Sequence, residues 1–231
     1  MMANDNIGTM RLYIIYRSKF LLFRLLPITA HGKKMEKKIT FKQYRNVDLA
    51  IFSVLTAVFE GITTLATTKW FAGQPVAISI TLTLILIVMH RWGALSAITA
   101  VVGGAVFCIA SGASAEHFLI YCVGNLFALV SLVYFKAFGK EAVRTGFAKT
   151  LLFASTAYVA VALGRFLLSL PFGAGFGDLV AFLLTDIISL IFAVVILWSI
   201  RGIDGLVEDQ KHYLLRINEE EKNKEQILDE E

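Results

Sequence analysis

Residues Val47–Ala66 read VDLAIFSVLTAVFEGITTLA, and the chain then continues through KWFAGQP at Lys69–Pro75. The first run is almost entirely apolar and is long enough to cross a bilayer as a helix, which needs about 20 residues. Small residues recur every four positions from Ser53 to Gly61, so they share a face that another helix can approach closely. Glu60 lies inside the run, where a carboxylate is costly in lipid. We therefore predict a membrane-spanning helix whose acid is directed at protein, water or ligand.

The composition favours a membrane protein throughout. Hydrophobic residues make up 57% of the 231 and charged residues only 17%, whereas a soluble domain averages about 25% charged residues. The charges are concentrated at the chain ends and in short loops, which excludes a soluble enzyme with a polar surface. Residues 1–46 are basic, but residues 201–231 contain ten acids against five Lys and Arg. A uniform basic surface for nucleic acid is therefore not supported.

Six apolar segments follow Lys37, and we predict an all-α polytopic membrane protein with six transmembrane helices. Within the second segment, Ile78–Leu84 alternates apolar and polar residues, a pattern typical of a strand. A lone strand cannot satisfy its backbone in lipid, so a helix is expected there too. The six segments are Val47–Thr67, Val76–Met89, Ala94–Ser111, His117–Phe135, Ala148–Leu170 and Gly177–Ile200.

Three regions and an orientation follow from the charges. Residues 1–34 are expected to be a disordered or interfacial extension, 35–201 the six-helix domain, and 202–231 a cytoplasmic acidic tail. The connections at 68–75, 112–116 and 171–175 together carry a single base, Lys69, while the alternate connections are rich in Lys and Arg. Basic loops remain in the cytoplasm, so both termini are predicted to be cytoplasmic.

Four charged or amide residues lie well inside the apolar segments, away from the segment ends, on four different predicted helices. Glu60, Asn125, Arg165 and Asp186 would each lie about 8 to 13 Å from the outer end of their helix, at 1.5 Å per residue. This gathering predicts a polar pocket that opens outward, and it argues against a pore or proton relay, whose polar groups would continue across the membrane. Arg165 and Asp186 could instead be a buried pair that fixes two helices, and Asn125 an interhelical hydrogen bond.

Two aromatic residues and the absence of known catalytic motifs limit the other chemistry that the sequence can support. Trp70 and Tyr121 would lie near the outer interface, either as ordinary interfacial aromatics or as a stacking surface for a planar ligand. No hydrolase Gly-x-Ser-x-Gly motif, Walker loop or metalloprotease motif occurs, and the four histidines are scattered. We therefore expect no cofactor, no metal site and no ATP hydrolysis by this chain. Cys108 and Cys122 are expected to be free thiols.

The helix count, the predicted topology, the small-residue face and the outward pocket together resemble the substrate-binding S components of energy-coupling factor (ECF) vitamin transporters. In that family a small-residue face on helix 1, usually Ala-x-x-x-Ala, docks onto a transmembrane coupling subunit, and two ATPase subunits supply energy. The resemblance implies a docking face of Ser53 and Ala57 with Ala50 and Gly61 alongside; Ser53 departs from the usual alanine.

The resemblance also implies where a ligand would bind. Family sites lie near the outer ends of helices 4–6 and in the loop between helices 1 and 2. The matching positions are Lys69–Pro75 with its Trp70 and Gln74, and Tyr121, Asn125, Arg165, Asp178 and Asp186. Together with Glu60 they predict a non-enzymatic receptor in the bacterial plasma membrane that captures a water-soluble vitamin or related molecule. The alternatives are a membrane enzyme acting on a lipid or isoprenoid, and a non-catalytic scaffold.

Overall fold

In the computed structural model, the described residues are 40–70, 78–203, 205–217 and 219. They form helices and no strands, which confirms the all-α prediction for this part of the chain. The α-helices are α1 (Phe41–Trp70), α2 (Thr81–Trp92), α3 (Ala97–Ser111), α4 (Ala115–Gly124), α5 (Val133–Phe138), α6 (Lys140–Thr145), α7 (Phe147–Ser169), α8 (Phe176–Thr185) and α9 (Ile187–Ile200). Short 3₁₀ helices occupy Gly93–Ser96, Asn125–Leu132 and Leu170–Phe172.

Five helical stretches of the described chain are long and apolar enough to cross a membrane, as expected for a multi-pass membrane protein. One of these stretches, Thr81–Ser111, contains the whole predicted segment Ala94–Ser111 and residues 81–89 of the predicted segment Val76–Met89. The extension predicted for residues 1–34 lies outside the described residues. The five stretches are Phe41–Lys69, Thr81–Ser111, Ala115–Phe138, Phe147–Phe172 and Phe176–Ile200.

The stretch Thr81–Ser111 reverses direction at its middle. Helix α2 ends at Gly93, whose φ of +62° is a left-handed conformation that favours glycine. Gly103, in the middle of α3, lies directly against Thr81 at the start of α2, since a Cβ on Gly103 would come within 2.3 Å of the Thr81 side chain. Helix α3 therefore folds back along α2, and the two form a hairpin.

Helix α2 lies at the centre of the fold. All eleven residues Thr81–Arg91 are buried, and α2 contacts α1, α3, α7 and α9. The alternating pattern that resembled a strand is explained by this burial, because a helix enclosed by protein on all sides needs no polar face. Its short length is explained in the same way, since neighbouring helices, rather than lipid, surround it.

A capping box begins helix α1, and a glycine allows close packing between α3 and α4. Thr40 and Gln43 form a reciprocal capping box at the start of α1, with distances of 3.0 and 3.3 Å between each backbone nitrogen and the other residue's side-chain oxygen. Gly104 lies against the backbone of α4, where a Cβ would come within 2.8 Å of the Cys122 Cα. Small residues of α3 are thus used to pack the protein's own helices.

The end of the helix bundle opposite Thr81 is rich in bases, and we call it the basic end: Arg91, Lys136, Lys140, Arg144, Lys149 and Arg201. Arg91 makes a two-point ion pair with Asp48 of α1, at 2.8 and 2.6 Å. The Trp92 indole N–H donates to the same carboxylate at 2.5 Å. These bonds join the beginning of α1 to the end of α2.

Residues 205–217, part of the predicted tail, pack onto the basic end. Arg91 donates hydrogen bonds to the carbonyl oxygens of Gly205 and Leu206, the second at 3.0 Å. The Tyr44 hydroxyl donates to the Gln210 side chain at 3.0 Å, and Gln210 is fully buried. This part of the tail is therefore attached to the helical domain.

Candidate functional site

Five of the eight predicted ligand residues line one cavity of about 200 Å³. The cavity lies at the end of the bundle away from the basic end, beside the last turns of α1 and α3 and the first residues of α2. Helices that are distant in sequence thus bring the polar residues together. The five residues are Glu60, Tyr121, Asn125, Arg165 and Asp186.

Glu60 forms the cap of the central helix α2. Its Oε2 accepts hydrogen bonds from the Ser79 hydroxyl at 2.9 Å and from the backbone N–H groups of Ile80 and Thr81, both at 3.0 Å. The side chain is only 1% exposed. A carboxylate at a helix N-terminus satisfies donors that the helix cannot satisfy itself and interacts favourably with the helix dipole. Glu60 therefore explains where α2 begins.

Arg165 connects three other elements at the cavity. Its guanidinium pairs with Asp186 and donates a second hydrogen bond to the Asn125 side-chain oxygen at 2.8 Å. The guanidinium carbon also lies 4.5 Å from the centre of the Tyr121 ring, a cation–π contact. Asn125 in turn donates to the Ala100 carbonyl oxygen at 3.2 Å. The two structural alternatives raised by the sequence are thus both present.

Asn125 and Asp186 lie where their helices become irregular. Asn125 begins the eight-residue 3₁₀ segment that follows α4, and Asp186 separates α8 from α9. Irregular backbone at membrane depth is tolerated where it is buried in protein or lines a cavity, and 3₁₀ stretches within helices often mark functional sites. Arg165, from the continuous helix α7, bonds to the side chains at both irregular points.

Hydroxyl groups and one aromatic ring were missed by the sequence reasoning. Thr64, Thr67 and Thr68 line the cavity, and they follow Glu60 by four, seven and eight residues, the spacing of one helix face. That spacing could have identified them. Phe107 also lines the cavity, with its ring 4.4 Å from the Tyr121 ring; nothing in its local sequence distinguishes it from other apolar residues of α3.

Three buried polar atoms at the cavity have no hydrogen-bond partner among the described residues. They are the hydroxyl oxygens of Thr64 and Thr81 and the Nε of Arg165. These residues are 3%, 3% and 7% exposed. Buried polar groups are normally paired, so unpaired ones require an explanation such as a bound molecule. Their position on one cavity makes it a candidate binding site.

The remaining predicted ligand residues are not part of this cavity as described. The Asp178 carboxylate accepts a hydrogen bond from the Gly175 N–H at 2.7 Å and caps α8, and Asp178 is exposed. It does not line the cavity. Gln74 lies outside the described residues, and so does the side chain of Trp70, so neither prediction is addressed.

The predicted docking residues lie at the border between the buried and exposed sides of α1. Ala50 is exposed, whereas Ser53, Ala57 and Gly61 are half-buried. Gly61 faces α3, since a Cβ there would be 3.7 Å from a Val106 methyl group. The small-residue face is therefore used partly for packing within the protein, and its Ala50 end remains accessible.

Between the cavity and the basic end, most residues of α2 are apolar and buried. Ile85, Leu86, Val88 and Met89 are at most 1% exposed. They lie between Thr81 at the cavity and Arg91 at the basic end. The cavity is thus closed on that side by tightly packed residues.

No protein-family model, curated protein or solved structure matches this chain. The functional conclusion therefore depends on the cavity and its residues.

Proposed function

We propose that this chain is a membrane receptor subunit that captures a small water-soluble molecule from outside the cell, in the manner of an ECF S component. The observation that supports this most directly is a cavity, closed toward the basic end, whose lining residues Thr64, Thr81 and Arg165 have buried polar atoms without partners among the described residues. Such a cavity suits reversible binding, because it offers hydrogen bonds to a ligand and no polar route onward through the protein.

The proposed orientation places the basic end in the cytoplasm and the cavity outside. Cytoplasmic loops of membrane proteins carry an excess of Lys and Arg, and these residues collect at the end of the bundle opposite the cavity. With α2 and α3 as two crossings, the chain crosses six times and both termini are cytoplasmic. At 1.5 Å per residue the twelve residues of α2 span about 18 Å. This is short for lipid, but sufficient for a helix enclosed by protein.

Import would require partners. The sequence has no Walker loop, so energy would come from two ATPase subunits acting through a transmembrane coupling subunit. The proposed contact is the face of Ala50, Ser53, Ala57 and Gly61 together with the exposed apolar side of α1, which includes Val54. The proposed location is the bacterial plasma membrane.

The main alternative, a membrane enzyme, would use Glu60 and Asp186 as acid and base. Each carboxylate uses one oxygen in a structural bond, Glu60 in capping α2 and Asp186 in pairing with Arg165. General acid–base catalysis needs a group that can exchange its proton with substrate, and structural hydrogen bonds oppose that exchange. This favours binding over catalysis.

The decisive experiment is native mass spectrometry of the detergent-purified full chain. We expect a retained small molecule at one copy per chain and, from a source that expresses the native partners, copurification with coupling and ATPase subunits. Retention should be lost in Thr64→Val and kept in Thr83→Val, because both hydroxyls are buried and unpaired but only Thr64 lines the cavity. Turnover of a substrate by the isolated chain, or absence of both ligand and partners, would refute the proposal.

Orientation can be tested separately with an impermeant maleimide in a background lacking Cys108 and Cys122. Ala115 and Ala137 are exposed and lie at opposite ends of the stretch Ala115–Phe138. Ala115→Cys should be labelled in intact cells, and Ala137→Cys only after permeabilisation. The reverse pattern would place the cavity in the cytoplasm.

A further inference from the structure

From the bonding inside the cavity we infer that its ligand is a small organic cation. The ligand would be a single ring whose short substituents include a positively charged nitrogen group. The inference rests on the proposed capture function and specifies the chemistry of its ligand.

Both terminal nitrogens of the Arg165 guanidinium are bonded within the protein, while its Nε has no partner among the described residues. One terminal nitrogen bonds to Asp186 and the other to Asn125. A ligand carboxylate or phosphate would ordinarily be held by two parallel N–H bonds from these nitrogens. A ligand anion held by both terminal nitrogens would compete with Asp186 and Asn125 for them. These bonds therefore oppose an end-on anion at Arg165 and leave its Nε–H as a single donor for a ligand acceptor.

Among the residues that the structure describes, each carboxylate in contrast has one oxygen without a hydrogen bond. The hydrogen bonds to Glu60 within the described residues all end on Oε2, and the bond from Arg165 to Asp186 ends on Oδ2. Ionised carboxylates have two oxygens and only accept hydrogen bonds. Glu60 Oε1 and Asp186 Oδ1 are therefore acceptors that a ligand with N–H donors can meet.

The net charge of the cavity lining also favours a cationic ligand. The charged residues of the described cavity lining are two carboxylates, Glu60 and Asp186, and one guanidinium, Arg165, giving a formal charge of −1. Lys69 is exposed and does not line the cavity. A ligand with one positive charge would neutralise the site.

Size and shape narrow the ligand further. A cavity of about 150 Å³ holds a benzene molecule, so the volume of about 200 Å³ suits one ring with a few substituents. The rings of Phe107 and Tyr121, 4.4 Å apart, form an aromatic side of the cavity. Aromatic faces attract both flat rings and cations.

The first test uses three probes of matched shape and different charge: benzylamine, benzyl alcohol and benzoate. Thermal unfolding of the ligand-free, detergent-solubilised full chain should shift upward most with benzylamine and least with benzoate at neutral pH. We expect benzylamine to bind tenfold or more tightly than benzoate, the change that about 1.4 kcal/mol produces. Equal or tighter binding of benzoate would overturn the inference.

The second test uses variants. Asp186→Asn keeps an oxygen facing Arg165 but removes one negative charge, so the preference for benzylamine over benzoate should shrink or reverse. Should that variant fail to fold, Thr64→Val gives an independent result. It should weaken benzylamine binding by roughly three- to tenfold, the effect of losing one hydrogen bond, while Thr83→Val leaves it unchanged. Equal effects of the two threonine variants would place the binding elsewhere and refute the inference.

The molecule retained in native mass spectrometry separates the two proposals. A retained amine or quaternary nitrogen compound supports both. A retained carboxylate or phosphate refutes the cation inference and leaves the capture function in place. If no molecule is retained, no partner subunit copurifies and none of the three probes shifts unfolding, both proposals fail.

Discussion

Removal of the Glu60 carboxylate should loosen the central helix by a predictable amount. In Glu60→Ala, three donors lose their acceptor: the Ser79 hydroxyl and the N–H groups of Ile80 and Thr81. A buried donor left without a partner costs about 1 to 3 kcal/mol. The adjoining cavity can admit water, so the lower figure applies to each, and we expect Glu60→Ala to lower the free energy of unfolding by about 3 kcal/mol.

Glu60→Gln separates the hydrogen bonds from the charge. Its amide oxygen can still accept from the same donors, so the loss is chiefly the attraction of the charge to the helix N-terminus, about 1 kcal/mol. Unfolding in mixed detergent micelles, followed by helical circular dichroism, should therefore rank the proteins wild type, Glu60→Gln, Glu60→Ala.

Glu116→Ala provides the control, since Glu116 is exposed in the first turn of α4 and should contribute less than about 1 kcal/mol. If Glu60→Ala destabilises no more than Glu116→Ala does, Glu60 does not cap α2.

Three further predictions concern other contacts. Asp186→Ala should lower the free energy of unfolding by about 3 to 5 kcal/mol, because it leaves the Arg165 charge buried and unpaired. Adding Arg165→Met should recover part of this loss. A double variant less stable than Asp186→Ala would contradict the prediction. Gly104→Ala should cost about 1 to 3 kcal/mol in the same unfolding assay, since its Cβ would meet the backbone of α4, while Gly177→Ala, with open space around it, should not destabilise. The pKa of Asp209 is raised by partial burial but lowered overall by the hydrogen bond and charge of Lys140, so attachment of residues 205–217 should be strong above the ordinary carboxyl pKa of about 3.9 and weaken as pH falls below it. Hydrogen exchange of that segment should follow this trend, and Asp209→Asn should abolish the pH dependence.

The helical class and the polar residues of the cavity could be predicted because both depend on local, one-dimensional signals. Long apolar runs predict helices in lipid, and an ionisable group inside such a run must face something other than lipid. Glu60, Asn125, Arg165 and Asp186 were found on that basis, and all four line the cavity. The helix predicted for the strand-like pattern Ile78–Leu84 is confirmed from Thr81 onward, and Ile78–Ile80 precede it.

Partner choice could not be predicted, because it depends on how the helices are arranged in space. Nothing in the local sequence pairs Glu60 with the start of α2, or places Asn125 between Arg165 and the Ala100 carbonyl. Asp178 shows the opposite case: it lies near a helix end in the sequence, as the cavity residues do, but its carboxylate is used by its own helix. Depth along a helix selects candidates, and the rotation of each helix then decides which of them meet.

The polar residues can have a structural role and a ligand-binding role at the same time. A carboxylate has two oxygens and about four acceptor sites, and Glu60 and Asp186 each use one oxygen for the fold. A ligand that bonds to the other oxygen adds to these contacts without replacing them. Binding should then stabilise the same helix termini that Glu60 and Asp186 organise, and the gain in unfolding free energy should grow with the logarithm of ligand concentration above Kd. A ligand that displaced the internal bonds would instead lose part of its binding energy in breaking them.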